Sequence, residues 1–473
     1  MKTEPDLPMR SSRTTLPLVF PIVAVLLNLM VWVTGVSRSG FWADDFLNLT
    51  SFNRTLGELS NDHINKGKYV INLFWAVGTD AFGLGSPVPF LLLNMLVLGT
   101  GLILWLRVGS RTRWSPLAAW WTGALFLATA AWLPTALWSS NITHSCGFLA
   151  LGIGLLAHER CMSARTLRAG LAWSLLGGGA WALALVSNLL YLGLLSIAAY
   201  CTFHQVLKLG RLGMARRSAV AATASWNLLA PLIYFSTIAY PATTSSSTYA
   251  ESGLKYVHGN FDYYKYLLAP TGLLVTLYLL LCLLAVAAAV VGARRRDLFP
   301  VAVLIASAAT TVPALLQGQQ RGIHYLAMPL LLLFSTIAAG ATHTLRSTAP
   351  HPLRMQSALL SVAIVALFLI FRQGADTRSF FVDTPYGGKL AAFRAEVASL
   401  TPAGGTICAK LVLDPQHQAL ITAELSGGAG FVVPPIDAAQ AYTYASGQRC
   451  PAPEPVSTVT ISLDARGDFV ASP

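Results

Sequence analysis

The chain has 473 residues, 54% of them hydrophobic and 11% charged, with a formal net charge of +12. Soluble domains carry about 25% charged residues, so an ordinary globular protein in water is excluded. The positive charge does not mark nucleic-acid binding, because most Lys and Arg fall in short loops between apolar runs, the positive-inside pattern of a polytopic membrane protein.

Residues 1–15 carry Lys2, Arg10 and Arg13 and read as a basic cytoplasmic leader. The first span is expected at about Leu16–Val36; without a small-residue cleavage site it reads as a retained anchor. A polar segment, 37–86, follows as the first outside loop. It holds Gly40-Phe41-Trp42-Ala43-Asp44-Asp45-Phe46. Two adjacent carboxylates beside hydrocarbon are costly and mark a functional site. Later in this loop Val70, Leu73, Phe74 and Val77 recur at helical spacing within Lys68–Phe82, which predicts an amphipathic helix on the membrane surface.

Further spans are expected at about Pro87–Val108, Leu117–Leu133, Cys146–Ala157, Ala169–Val186, Leu189–Val206 and Ala219–Tyr240, the fifth and sixth turning at Ser187-Asn188. After a Tyr-rich polar loop, Pro241–Lys265, come spans at about Tyr266–Gly292 and Pro300–Leu316. A tenth returns to Arg346 and Arg354, and an eleventh covers Met355–Phe371. With the N-terminus inside, Arg107, Arg111, Arg113, Arg160, Arg165, Arg168, Arg216, Arg217 and Arg294–Arg296 all fall in the cytoplasm. The acidic pair, the Tyr-rich loop, Arg321 and the tail then fall outside. Gly177-Gly178-Gly179 reads as close helix packing.

The tail, 373–473, reads as a small soluble α/β domain. Leu390, Phe393, Val397 and Leu400 suggest one helix, and Thr406–Leu413 and Val456–Leu463 alternate as strands. Ala465-Arg466-Gly467-Asp468 is a turn rather than an adhesion signal. Cys408 and Cys450 could pair as a disulfide if the tail lies outside the cytoplasm, whereas Cys146, Cys161, Cys201 and Cys282 read as buried apolar residues. The sequons at Asn48, Asn53 and Asn141 are read as coincidences, because the chain looks bacterial.

The Trp42–Phe46 motif, the surface helix and the span entered by Pro87-Val88-Pro89-Phe90 together resemble the GT-C superfamily of membrane glycosyltransferases. Gln320-Arg321-Gly322-Ile323-His324-Tyr325-Leu326-Ala327-Met328-Pro329 resembles that superfamily's Arg-Tyr-x-x-x-Pro entry into a late span, with three residues between Arg and Tyr. The resemblance covers about residues 16–372. It implies an α-helical polytopic fold of about eleven spans, in a bacterial inner membrane, that takes a sugar from a polyprenyl-phosphate donor. The acceptor would be a glycan, lipid or protein outside the cytoplasm.

An inverting transfer needs a carboxylate base, so Asp44 and Asp45 are the catalytic candidates; the residues do not decide between them. A polyprenyl phosphate leaving group needs cationic or hydrogen-bonding partners, for which Arg321, His324, Tyr325, Lys66 and Lys68 are the candidates. Trp42, His63, His144, His258, Tyr263 and Tyr264 are candidates for contacts with substrate or acceptor. The histidines lack metal-ligand spacing, so no metal ligand is assigned and a need for Mg or Mn is left open. Two rival functions are weighed. A lipid-linked glycan polymerase or ligase would use a large late outside loop, which is short here. A transporter would show repeated halves, and none are seen.

Overall fold

The computed structural model describes residues 16–37, 69–82, 88–164, 166–209, 225–236, 253–316, 323–345, 352–383, 406–412, 443–446, 456–463 and 469–472. Among the described residues seven helices are long and apolar enough to cross a membrane, and three shorter apolar helices accompany them. The chain is a polytopic α-helical membrane protein.

Helix α1 (Leu16–Ser37) is followed by α2 (Tyr69–Phe82), α3 (Val88–Thr112) and α4 (Pro116–Ala128). Helix α4 begins sharply because Ser115 accepts a hydrogen bond from Ala118 N–H and Pro116 pre-sets the first turn. It ends earlier than the sequence suggests. Ala130 adopts a left-handed conformation (φ 58°), and the short α5 (Leu133–Leu137) restarts the chain in a new direction. A 3-10 turn, Ser139–Asn141, leads into α6 (Ile142–Ser163). Helix α7 (Leu167–Ser187) is capped by Thr166, and a second 3-10 turn, Leu189–Leu194, leads into α8 (Leu195–Leu209).

Helix α9 (225–234) is described within the seventh expected span. The described part of the Tyr-rich segment, from Gly253 on, departs from the expected loop. A 3-10 turn, Leu254–Tyr256, starts α10 (Val257–Leu268), and α11 (Gly272–Arg294) begins only after Pro270, with Thr271 as its cap. Proline and a good N-cap split what the hydropathy joined. Helix α12 (Phe299–Leu316) is followed by a third 3-10 turn, Ile323–Leu326, which opens α13 (Ala327–Leu345). Helix α14 (Pro352–Asp383) runs beyond residue 372.

Packing centres on α6, which lies between α3 and α7. A side chain at Gly101 would strike the backbone of Phe148 and Leu149, and one at Gly152 would come within 2.6 Å of Gly101 O. The α3 and α6 backbones therefore touch, as small residues permit in membranes. The last carbonyls of α12 do not end free: Leu315 O accepts from Asn260 Nδ2 on α10 at 2.8 Å, and Leu316 O accepts from Gly253 N–H at 2.9 Å.

The tail contributes β1 (Thr406–Val412), β2 (Thr443–Ser446), β3 (Val456–Leu463) and β4 (Phe469–Ser472) in the order β2-β1-β3-β4. Strand β1 pairs parallel with β2 and β3, in register Thr406 with Thr443 and Val456. Strands β3 and β4 form an antiparallel pair flanking the expected turn at 465–468. The expected helix around Leu390–Leu400 lies outside the described residues.

Candidate functional site

The ends of α3, α6 and α11 that carry Arg107, Arg111, Arg160 and Arg294–Arg296 define one end of the bundle. At the opposite end three 3-10 turns come together: those preceding α6, α8 and α13. These interruptions place polar side chains at the ends of apolar helices.

His144, in the first turn of α6, meets His324 from the turn before α13, with ring centroids 5.0 Å apart and nearly perpendicular. Tyr325 lies 5.5 Å from the His144 ring and 4.2 Å from the His324 ring. Trp138 closes over His324 edge-on at 5.6 Å. His144 Nδ1 lies 2.8 Å from Tyr191 Oη, and His144 Nε2 lies 3.3 Å from Asn188 Nδ2. Room for the Tyr191 ring comes from Gly147, where any side chain would overlap that ring.

This arrangement is held from beneath by Asn94, completely buried in α3. Its amide donates to Thr135 O at 2.7 Å and Trp138 O at 2.9 Å, and its carbonyl accepts from Ser145 Oγ. One side chain thus ties α3 to the turn bearing Trp138 and to α6 beside His144. Asn141 Nδ2 braces the same turn through Pro134 O at 3.1 Å. Thr135 Oγ1 and Ser139 Oγ are buried there and have no hydrogen-bond partner among the described residues.

Helix α2 docks against this end. Ile71, Phe74 and Trp75 pack with Phe90 and Ile142, the Trp75 and Phe90 rings stacking at 5.0 Å. The expected stripe is only partly the buried one: Phe74 is inside, but Leu73 and Val77 are exposed. The helix is apolar on two sides, one for the bundle and one away from it.

On the far side of the α4–α5 turn, Arg378 is buried on α14. It donates to Ala128 O at 2.9 Å and to Phe371 O, with its guanidinium 4.0 Å over the Phe371 ring. Burial pushes its pKa down to about 10, and the carbonyls and ring face compensate part of that cost.

Of the residues singled out by the sequence, His144, His324 and Tyr325 are brought together. His258 stands apart on α10, its side chain 90% exposed, with Nε2 3.4 Å from Asp262. Tyr264 turns inward and packs in the core with Tyr263 beside it at 5.4 Å. Trp42, Asp44, Asp45, His63, Lys66, Lys68, Arg321 and Cys450 lie outside the described residues. Cys408 falls within β1. Among the described residues no cluster of His, Cys, Asp and Glu could hold a metal ion. Asn94, Ser145, Asn188 and Tyr191 were not anticipated. The signal for Asn94 was a polar side chain inside the apolar run Val88–Arg107.

No family model and no curated protein matches the chain. Among solved structures, it is similar to ArnT from Cupriavidus metallidurans. The apo form is 16% identical, with a TM-score of 0.43, covering 85% of this chain and 83% of that one. The form bound to undecaprenyl phosphate is also 16% identical, with a TM-score of 0.44, covering 85% and 84%.

Proposed function

We propose that the chain is an integral membrane glycosyltransferase that moves a sugar from a polyprenyl-phosphate donor to an acceptor on the outer face of a bacterial inner membrane. The observation that carries this reading is the meeting of His324 and Tyr325 with His144 at the end of the bundle opposite the arginines. Two of these residues belong to the late-span segment whose pattern resembles the GT-C entry motif. Polar side chains gathered at that level suit a phosphate carried at the membrane surface by a lipid.

In this reading Asp44 or Asp45 takes the proton from the acceptor hydroxyl as it attacks the anomeric carbon, with inversion. Arg321, Lys66 and Lys68 join His324 and Tyr325 around the departing phosphate, where charge develops. Trp42, His63 and His144 border the substrate side. The N-terminus is cytoplasmic, and the tail lies outside with Cys408 and Cys450 paired. A divalent ion, Mg or Mn, enters only if transfer proves sensitive to chelation.

The test is transfer by the purified chain from a panel of radiolabelled polyprenyl-phosphate sugars, beside Asp44→Asn and Asp45→Asn. Loss of transfer in one folded variant that still binds donor is expected. Normal transfer by both variants would remove the acidic loop from the mechanism, and no transfer from any donor would remove the function.

A further inference from the structure

The polarity of the hydrogen bonds around His144 says more than their proximity. Asn188 ends α7, and its amide nitrogen lies 3.3 Å from His144 Nε2. An amide nitrogen only donates, so Nε2 accepts and carries no hydrogen. On the other side of the ring, Tyr191 donates its hydroxyl hydrogen to His144 O at 3.3 Å. With that hydrogen engaged, Oη is left to accept from His144 Nδ1 at 2.8 Å. The Asn188 bond decides the form of the ring, an uncharged imidazole with its hydrogen on Nδ1, and both Tyr191 contacts are compatible with that form. Both ring nitrogens of His144 are then occupied.

His324 differs. Its side chain is 7% exposed, and among the described residues neither of its nitrogens makes a hydrogen bond. Its contacts are ring contacts, with Trp138, His144 and Tyr325. A polar side chain this deeply enclosed ordinarily has a partner.

We propose that Asn188 is a positioning residue that, together with Tyr191, fixes His144 as an uncharged ring hydrogenated on Nδ1. His144 is then a wall of the site rather than a ligand to substrate, and His324 is the imidazole of the pair that offers nitrogens to an anionic phosphate. The tautomer stands on the hydrogen bonds alone; the phosphate rests on the function proposed above. The titratable groups packed around His144 among the described residues are Tyr191 before α8, His324 and Tyr325 before α13, and Cys146 on its own helix.

The experiment uses the full chain in lipid nanodiscs with ring-15N histidine. His144→Gln and His324→Gln assign the two signals among the nine histidines. At neutral pH, His144 is expected to show a bare Nε2 and a hydrogenated Nδ1. In Asn188→Asp the carboxylate cannot donate, so the hydrogen appears on Nε2. Asn188→Ala gives a mixture of the two neutral forms and serves if the Asp variant does not fold. A wild-type ring hydrogenated on Nε2, or a pattern unchanged in both variants, overturns the assignment. Adding a polyprenyl phosphate is expected to shift the His324 signal and leave the form of His144 unchanged. A silent His324 beside a correctly assigned His144 overturns the phosphate role and counts against the proposed function, with the tautomer standing.

Discussion

Asn94 shows how one side chain can set the geometry of a membrane site. It uses both amide hydrogens and its carbonyl to join α3 to two other pieces of chain, α5 with Trp138 and the start of α6. Asn94→Ala would remove the donor to Thr135 O and the acceptor of Ser145 Oγ in a buried setting, while Trp138 O keeps Asn141 N–H at 3.0 Å, a loss of about 2–3 kcal/mol. Asn94→Asp should not rescue it, because a carboxylate cannot donate to Thr135 O and Trp138 O; a melting-temperature comparison of the two variants with wild type checks this. His324→Ala is expected to weaken polyprenyl-phosphate binding about ten- to a hundredfold, the worth of a hydrogen bond to a charged group. Titration of wild type and variant with the lipid phosphate measures that directly. His324 and His144 were legible in the sequence because polar residues beside apolar runs stand out. Their meeting was not, because three loops far apart in the chain had to converge first. Asn188 was read as a turn residue, a role it also fills, through acceptance of Tyr191 N–H by its carbonyl at 3.0 Å.

At the scale of elements, apolar runs and arginine clusters located most helices, since length and hydropathy are properties of the segment itself. What they missed were the breaks. The end of α4 at Ala128, the separate α10 and the start of α6 at Ile142 depend on caps, a proline and a left-handed residue, not on average hydropathy. The α2 stripe was half right for a related reason, since helical spacing marks an apolar face without saying whether protein or lipid meets it. The α3–α6 contact is more constrained than either helix alone. Gly101→Leu would force a side chain into the α6 backbone, which cannot move aside as a flexible side chain can. The expected loss is about 3 kcal/mol, the upper end for overpacking. It should appear as a lower melting temperature and as loss of activity, because α3 carries Asn94 and α6 carries His144. Gly99→Leu, at a position with open space around a Cβ, is the matched control and should melt near wild type.

For the whole molecule, Arg113, between α3 and α4, ties several helices together at the arginine-rich end. Arg113 donates to Glu159 on α6 at 2.8 and 3.1 Å and to Tyr200 on α8 at 2.9 Å, and it lies 5.0 Å over the ring of Phe299 on α12. Burial opposes its charge, but Tyr200, Glu159 and Asp297 raise its pKa above the usual value. Glu159→Gln should cost about 3 kcal/mol, as breaking an enclosed ion pair does, and thermal melts would show it. Orientation can be tested in a chain whose native cysteines are replaced by alanine. His258→Cys should react with an impermeant maleimide from outside, and Arg295→Cys only after permeabilisation. The reverse pattern would invert the topology. The paired tie from Asn260 and Gly253 onto the last carbonyls of α12 has an electrostatic consequence. Helices α6, α8 and α13 all start at the site end, so the positive ends of their dipoles are directed there. Helix α12 ends at the same level and would contribute the opposite sign, but its terminal carbonyls already face donors from α10 and the turn before it. Helix α7 also ends there, at Asn188, so the negative end of its dipole offsets part of that field, and the covered carbonyls of α12 keep a second helix end from adding to the offset.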